Sequence, residues 1–151
     1  MRIELYDGDR AVLRELFELA EDSAAELDSY LNAGRVLVAV AGDQIVGHLQ
    51  VVGTEIKNMA VREAEQGRGI GRQLVAASVD LIRAEGGGRM VVATAAADVG
   101  NLRFYQRQGF RFSAVERDAF TPATGYPDGL EIDGIPLRDR VWLDREVSAG
   151  R

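Results

Sequence analysis

The stretch EQGRGIGRQL, Glu65 to Leu74, sets three glycines among two arginines at the head of an apolar run with helical spacing. Glycine inside a helix costs roughly 0.5–1 kcal/mol relative to alanine, so three where a helix begins need a reason. One reason is the approach of bare backbone to a large anion. Clustered N–H donors, little side-chain bulk and a helix N-terminus behind them make a phosphate cradle. Arg68 and Arg72 add forked donors that suit phosphate oxygens. The other reading is a flexible surface turn, and the loop by itself does not separate the two. Two familiar nucleotide loops do not fit. The P-loop needs Lys and then Ser/Thr after its last glycine, where this chain has Arg72-Gln73. The dinucleotide fingerprint G-x-G-x-x-G is not the spacing of Gly67, Gly69 and Gly71.

Working outward, Ile70, Leu74, Ala77, Leu81 and Ile82 recur at helical spacing until Gly86-Gly87-Gly88 stops the helix. Met90 to Ala95 is an apolar strand expected to be buried on both faces. Asn101 to Gln108 is a short helix ended by Gly109, and Phe110 to Val115 is a strand. Asp118 to Pro136, rich in Pro, Gly, Asp and Thr, is expected to be a loop, and a last strand spans Arg138 to Asp144.

On the N-terminal side, Val36 to Ala41 and Gln44 to Val52 are two strands joined by a tight turn at Gly42-Asp43, and Thr54 to Val61 is a third. Ile3 to Tyr6 is a short strand. A helix from Asp9 carries Leu13, Leu16, Phe17 and Ala20 on one face. A second, capped by Asp22 or Ser23, carries Leu27, Tyr30 and Leu31. The last residues, Ser148 to Arg151, are expected to fray. The order predicts one mixed α/β domain over residues 1–151, with a mostly antiparallel central sheet flanked by helices.

Bulk composition narrows the function. The chain is 46% hydrophobic and 28% charged, an ordinary globular balance, and its net charge of −6 argues against nucleic acid as a partner. There is no cysteine, so disulfides and a cysteine nucleophile are excluded. With one histidine, His48, Cys/His zinc sites are excluded too, and no metal is expected. A lone strand histidine reads as structural. No apolar run reaches the roughly 20 residues of a membrane helix, and MRIELYDGDRAVLREL has no signal-peptide core. The expected location is the cytoplasm.

The pattern Gln66-x-x-Gly69-x-Gly71, preceded by Asn58-Met59-Ala60-Val61, resembles the coenzyme-binding motif of the GNAT superfamily of N-acetyltransferases. NLRFYQRQGF, Asn101 to Phe110, resembles that superfamily's second signature, and the helix and strand between the two motifs also match. The similarity is clear over about Val36 to Arg117. It implies the GNAT-like fold and acetyl-coenzyme A as co-substrate. It also implies that Gln66, Gly67, Arg68, Gly69, Ile70, Gly71 and Arg72 surround the pyrophosphate, while the backbone of Met59 and Val61 pairs with the pantetheine arm where two strands diverge. Ala95-Ala96-Ala97 departs from relatives that carry polar residues after this strand.

Acetyl transfer to an amine needs a base for the ammonium, a stabiliser for the thioester oxygen and a proton for the departing thiolate. Glu55, eleven residues before Gln66, stands where the histone-acetylating branch of the superfamily places its catalytic glutamate. It is the expected base, against the alternative of a strand carboxylate paired with Lys57 or Arg35. Tyr105 matches the family's acid on the sulfur, against the alternative of a core aromatic. Asn101 is read both as a helix N-cap and as a pantetheine contact. Asp118, Asp128, Glu131 and Asp133, near Phe120 and Tyr126, form either a loop that attracts a cationic acceptor or a solvated loop. Trp142 is read as core or interface. The expected acceptor is an amine-bearing small molecule or peptide, and the family resemblance leaves a homodimer open. Two other functions remain in view: a coenzyme A-binding regulatory module without transferase activity, and a phosphoryl-transfer enzyme.

Overall fold

The computed structural model describes residues 1–148, so the frayed-tail expectation falls, from residue 149 on, outside the described residues. Strand β1 (Arg2–Tyr6) leads into a single 3-10 turn capped by Asp9, then helix α1 (Arg14–Glu18). Helix α2 (Ala24–Tyr30) starts at Ser23, whose hydroxyl accepts from Glu26 N. Strands β2 (Arg35–Ala41), β3 (Gln44–Val52) and β4 (Glu55–Val61) form an antiparallel meander with β1. Helix α3 (Ile70–Ala84) crosses to β5 (Arg89–Ala95), which lies parallel to β4. Helix α4 (Val99–Arg107) and β6 (Arg111–Glu116) follow, then a short hairpin of β7 (Glu131–Ile132) and β8 (Ile135–Pro136), and the last strand, β9 (Arg140–Glu146). The sheet order is β1-β2-β3-β4-β5-β9-β6, so the last strand inserts between β5 and β6.

Strand alternation divides the core. Along β2, Val36, Val38 and Val40 pack with Leu13, Phe17, Leu27 and Tyr30 on the α1–α2 face. Leu37 and Ala39 point the other way, into a larger cluster with Leu74, Val79 and Ile82 of α3. Fully burying a side chain such as Leu74 contributes roughly 1.5–3 kcal/mol, and the helical spacing of Ile70, Leu74 and Ile82 delivers all three to the same side of the sheet.

Several expectations need correction. Strand β5 is not buried on both faces. Met90 and Val92 are buried while Val91, Ala93 and Ala95 are half-buried, because Ala93 and Ala95 open onto a cleft. Asn101 is not the cap of α4; the helix begins two residues earlier, and Asp98 Oδ1 accepts from Asn101 N at 2.9 Å. The 118–136 segment is not structureless. It holds a 3-10 turn at Pro122–Thr124 and a two-rung hairpin of β7 (Glu131–Ile132) and β8 (Ile135–Pro136).

His48 and Gln50 lie fully buried on the α1–α2 side of β3. The His48 ring stacks on Phe17 at 4.1 Å, and its Nε2 is 2.7 Å from Asn58 Oδ1. Burial holds its pKa down at about 4, although the Asn58 hydrogen bond pulls the other way. An unfolded chain binds this proton near pH 6.5 and the folded one does not. Stability is therefore expected to fall as pH drops from above 6.5 toward 4. Thermal melts across that range check this, and a folded His48→Gln variant should show a flatter slope.

Candidate active site

Strands β4 and β5 pair only at Glu55–Val91 and Ile56–Val92, then part. The cause is partly a bulge in β4. Val51 faces Ile56 and Gln50 faces Asn58, so Lys57 is the extra residue, and a bulge bends the strand that carries it. A cleft of about 1050 Å³ opens in the gap.

Arg62 N donates to Val46 O at 2.8 Å. By strand alternation Ala60 and Asn58 also direct their backbone groups at β3, while Met59 and Val61 turn theirs to the gap. Gln66 Nε2 donates to Val61 O at 3.0 Å, which ties the glycine turn to the end of β4.

That turn runs into α3. Gly67 has φ 80° and Gly69 φ 78°, the left-handed region that other residues enter at a cost. Gly69 is the N-cap, and no side chain caps the helix. The first intrahelical bond from the cap is Gln73 N to Gly69 O, so the N–H groups of Ile70, Gly71 and Arg72 have no partner within the helix. Gly71 serves packing as well, since a Cβ there would stand 3.3 Å from the Phe104 ring. Gln66, Gly67, Gly69, Ile70, Gly71 and Arg72 all line the cleft. Arg68 stands apart, paired with Glu65 at 3.0 Å. Across the gap, Asn101 also lines the cleft, and its Nδ2 donates to Thr94 Oγ1 at 3.4 Å.

Glu55 sits at the root of the split, half-buried and lining the cleft. Burial pushes its pKa up, with Lys57 and Arg140 opposing. Arg35 is not its partner; that guanidinium bonds Glu85 and Gly53 O. Tyr105, also lining the cleft, is buried between Phe104 and Phe110 in edge-to-face contacts. Burial, then the Asp98 charge, pushes its phenol further up, so it stays protonated at working pH.

The loop carboxylates divide. Glu131 lines the cleft beside Phe120 and Tyr126. Asp118 pairs with Arg138, and Asp133 occupies the β7–β8 turn with φ 51°; neither lines this cleft. The sequence reading missed Glu21, Asp22 and Glu26, which line the wall from the α1–α2 segment. Nothing local marks them, because strand order alone brings that segment across from β4.

A sheet split between parallel strands, with an uncapped helix start at its open end and a carboxylate at its root, makes a cleft that could hold a long anionic ligand beside an acid–base group. A family model described as the acetyltransferase (GNAT) family matches residues 4–110. The chain is 33% identical over 151 residues to the uncharacterized N-acetyltransferase YvbK of Bacillus subtilis (strain 168), covering 95% of this chain and 96% of that one. A crystal structure of a Bacillus subtilis acetyltransferase in complex with CoA superimposes with TM-score 0.87 at 33% identity, covering 96% and 97% of the two chains. A GNAT family acetyltransferase from Elizabethkingia anophelis with acetyl-CoA bound gives TM-score 0.88 at 28% identity, covering 96% and 97%. The chain belongs to the GNAT family of acetyltransferases. Among the described residues, no helix is long and apolar enough to cross a membrane.

Proposed function

We propose that the protein transfers the acetyl group of acetyl-coenzyme A to a primary amine by direct attack in a ternary complex. One arrangement carries this reading: the open edge of β4 leads from the uncapped start of α3 to the half-buried carboxylate of Glu55. The pyrophosphate lies against the N–H groups between Gly67 and Arg72, within the positive end of the helix dipole. Arg72 flanks it, and Arg68 joins by leaving Glu65. The pantetheine amides take the place of the missing strand along Met59 and Val61, with Asn101 on the far side.

Glu55 accepts a proton from the acceptor's ammonium, directly or through one water. The freed amine attacks the thioester carbon, and a backbone N–H on the open edge of β4 meets the oxygen as it gains charge. The tetrahedral adduct then expels the thiolate. Tyr105 donates its phenol proton to the sulfur as the C–S bond breaks, and the extra proton on the adduct's nitrogen passes through water to restore the phenol, giving the neutral amide and free coenzyme A. The chain has no cysteine, so no acetyl-cysteine intermediate intervenes.

The test is thiol release from acetyl-coenzyme A with a panel of amines. A regulatory module would bind the coenzyme and release none. Tyr105→Phe is expected to lower kcat by roughly 10²-fold, the low end for one proton-transfer group, while coenzyme affinity holds. A more acidic leaving thiol needs less protonation, so an activated thioester should partly rescue this variant. Wild-type turnover in Tyr105→Phe removes the tyrosine from the mechanism.

A further inference from the structure

The wall of the cleft beyond Glu55 and Tyr105 centres on Glu21, in the connection between α1 and α2. Its Oε1 accepts from Tyr30 OH at 2.8 Å and its Oε2 from Tyr126 OH at 2.9 Å. The first of these bonds has a fixed direction. Asn58 Nδ2 donates to the Tyr30 hydroxyl at 3.0 Å and to Phe17 O at 3.1 Å. The Tyr30 proton therefore points at Glu21. Asn58 Oδ1 accepts in turn from His48 Nε2, its close buried neighbour. One chain of donors, from His48 through Asn58 and Tyr30, and the Tyr126 hydroxyl on the other side both end on one carboxylate. A carboxylate has about four lone-pair sites. Ser23 N also donates to Glu21 Oε2, at 3.3 Å, so after these three donors Glu21 keeps about one acceptor site, on Oε1. Glu21, Tyr30 and Tyr126 all line the cleft.

The Glu21–Tyr126 bond joins residues 105 positions apart and closes a strap over this end of the cleft. The strap is built rather than loose. Tyr126 N bonds Thr121 O, and Thr121 and Thr124 cap each other. Gly125 lies so close to α2 that a Cβ there would stand 3.2 Å from Ser23 Oγ. An end closed in this way suits a small molecule better than a protein chain laid across it.

Charge and surface agree. At this end the cleft is lined by the carboxylates of Glu21, Asp22, Glu26, Glu55 and Glu131 against the cations of Lys57 and Arg140. Both cations rest on aromatic faces, Lys57 Nζ 4.8 Å from the Tyr30 ring centre and Arg140 4.9 Å from that of Phe120. Arg140 is also paired with Glu116 at 3.0 Å.

Building on the transferase reading above, we infer that the acceptor is a small aliphatic amine carrying a second cationic group. Glu21, held by Tyr30 and Tyr126, receives that second group and so sets acceptor specificity. The reacting amine stands at Glu55 while the distal cation occupies the remaining lone pair on Glu21 Oε1. Hydrogen bonding to a charged partner of this kind corresponds to roughly 10–100-fold in affinity.

The test compares cadaverine, n-pentylamine and a short lysine-containing peptide as acceptors, with thiol release as the readout. Wild-type kcat/KM is expected to favour cadaverine over n-pentylamine by at least roughly tenfold. In Glu21→Gln that preference should collapse toward unity, mainly through a higher KM for cadaverine, and Glu21→Asp should restore part of it. An acetyl-coenzyme A melting shift in each variant reports that the coenzyme half stays folded. A purely structural Glu21 would lower all acceptors alike and leave the ratio unmoved, which overturns the inference. Equal use of cadaverine and n-pentylamine by the wild type, or preference for the peptide, overturns it while the transferase reading stands. Coenzyme binding without thiol release for any amine overturns both.

Discussion

Glu55→Gln is expected to lower kcat by roughly 10²–10⁴, the usual contribution of one acid–base group, with little effect on coenzyme affinity. The wild-type pH–rate profile should carry an acidic limb set by this carboxyl. Burial raises its pKa, so the limb should lie above the ordinary carboxylate range near 4.3, and it should disappear in Glu55→Gln. Stability should move the other way. A carboxylate whose pKa is raised by folding opposes folding once pH exceeds the unfolded value. Glu55 therefore costs stability as pH rises through its window, and Glu55→Gln should melt no lower than the wild type at neutral pH. Gain in stability with loss of turnover is the mark of a functional group held at a cost. An unchanged acidic limb in the variant would assign the proton step to water or to another group.

The parts of this molecule legible in its sequence are those whose causes are local. Alternation along Val36 to Ala41, the turn at Gly42-Asp43 and the spacing of Ile70, Leu74 and Ile82 each declare an element and the face it buries, and the structure has them all. The glycine turn was legible too, because positive φ at Gly67 and Gly69 is a local demand that glycine meets best.

What escaped depends on distant partners. The extra residue at Lys57 shows only once β3 is laid beside β4. Yet it moves Asn58 onto the α1–α2 face, where that side chain reaches Phe17 O and Tyr30. Asp98 displaced Asn101 as the cap because both are good capping residues three positions apart. The acidic loop drew attention to Asp118 and Asp133, whereas Glu21, Asp22 and Glu26, from the α1–α2 segment, line the cleft. Composition marks where charge is dense, and only the fold decides which charges converge.

Gly69→Glu is expected to abolish coenzyme binding in a protein that still folds. Acetyl-coenzyme A at a hundred times its Kd should stabilise the wild type by about 2.7 kcal/mol through mass action, a shift easily read in a melt. A carboxylate on Gly69 would sit at the mouth of the uncapped α3 N-terminus, where the free N–H groups converge. Two unit charges about 4 Å apart at an effective dielectric of 20 repel by about 4 kcal/mol, or roughly 10³-fold in affinity. The same carboxylate favours the helix itself, since a negative charge in the first turn gains about 0.3–1 kcal/mol from the dipole. That gain offsets part of the strain of a side chain at φ 78°. The ligand-free melt should therefore change little while the ligand shift vanishes. Gly69→Asn separates charge from backbone strain, because asparagine tolerates the left-handed region and is neutral. It should keep a reduced but measurable shift, and full wild-type binding in a folded Gly69→Glu protein would sink the phosphate assignment of this turn.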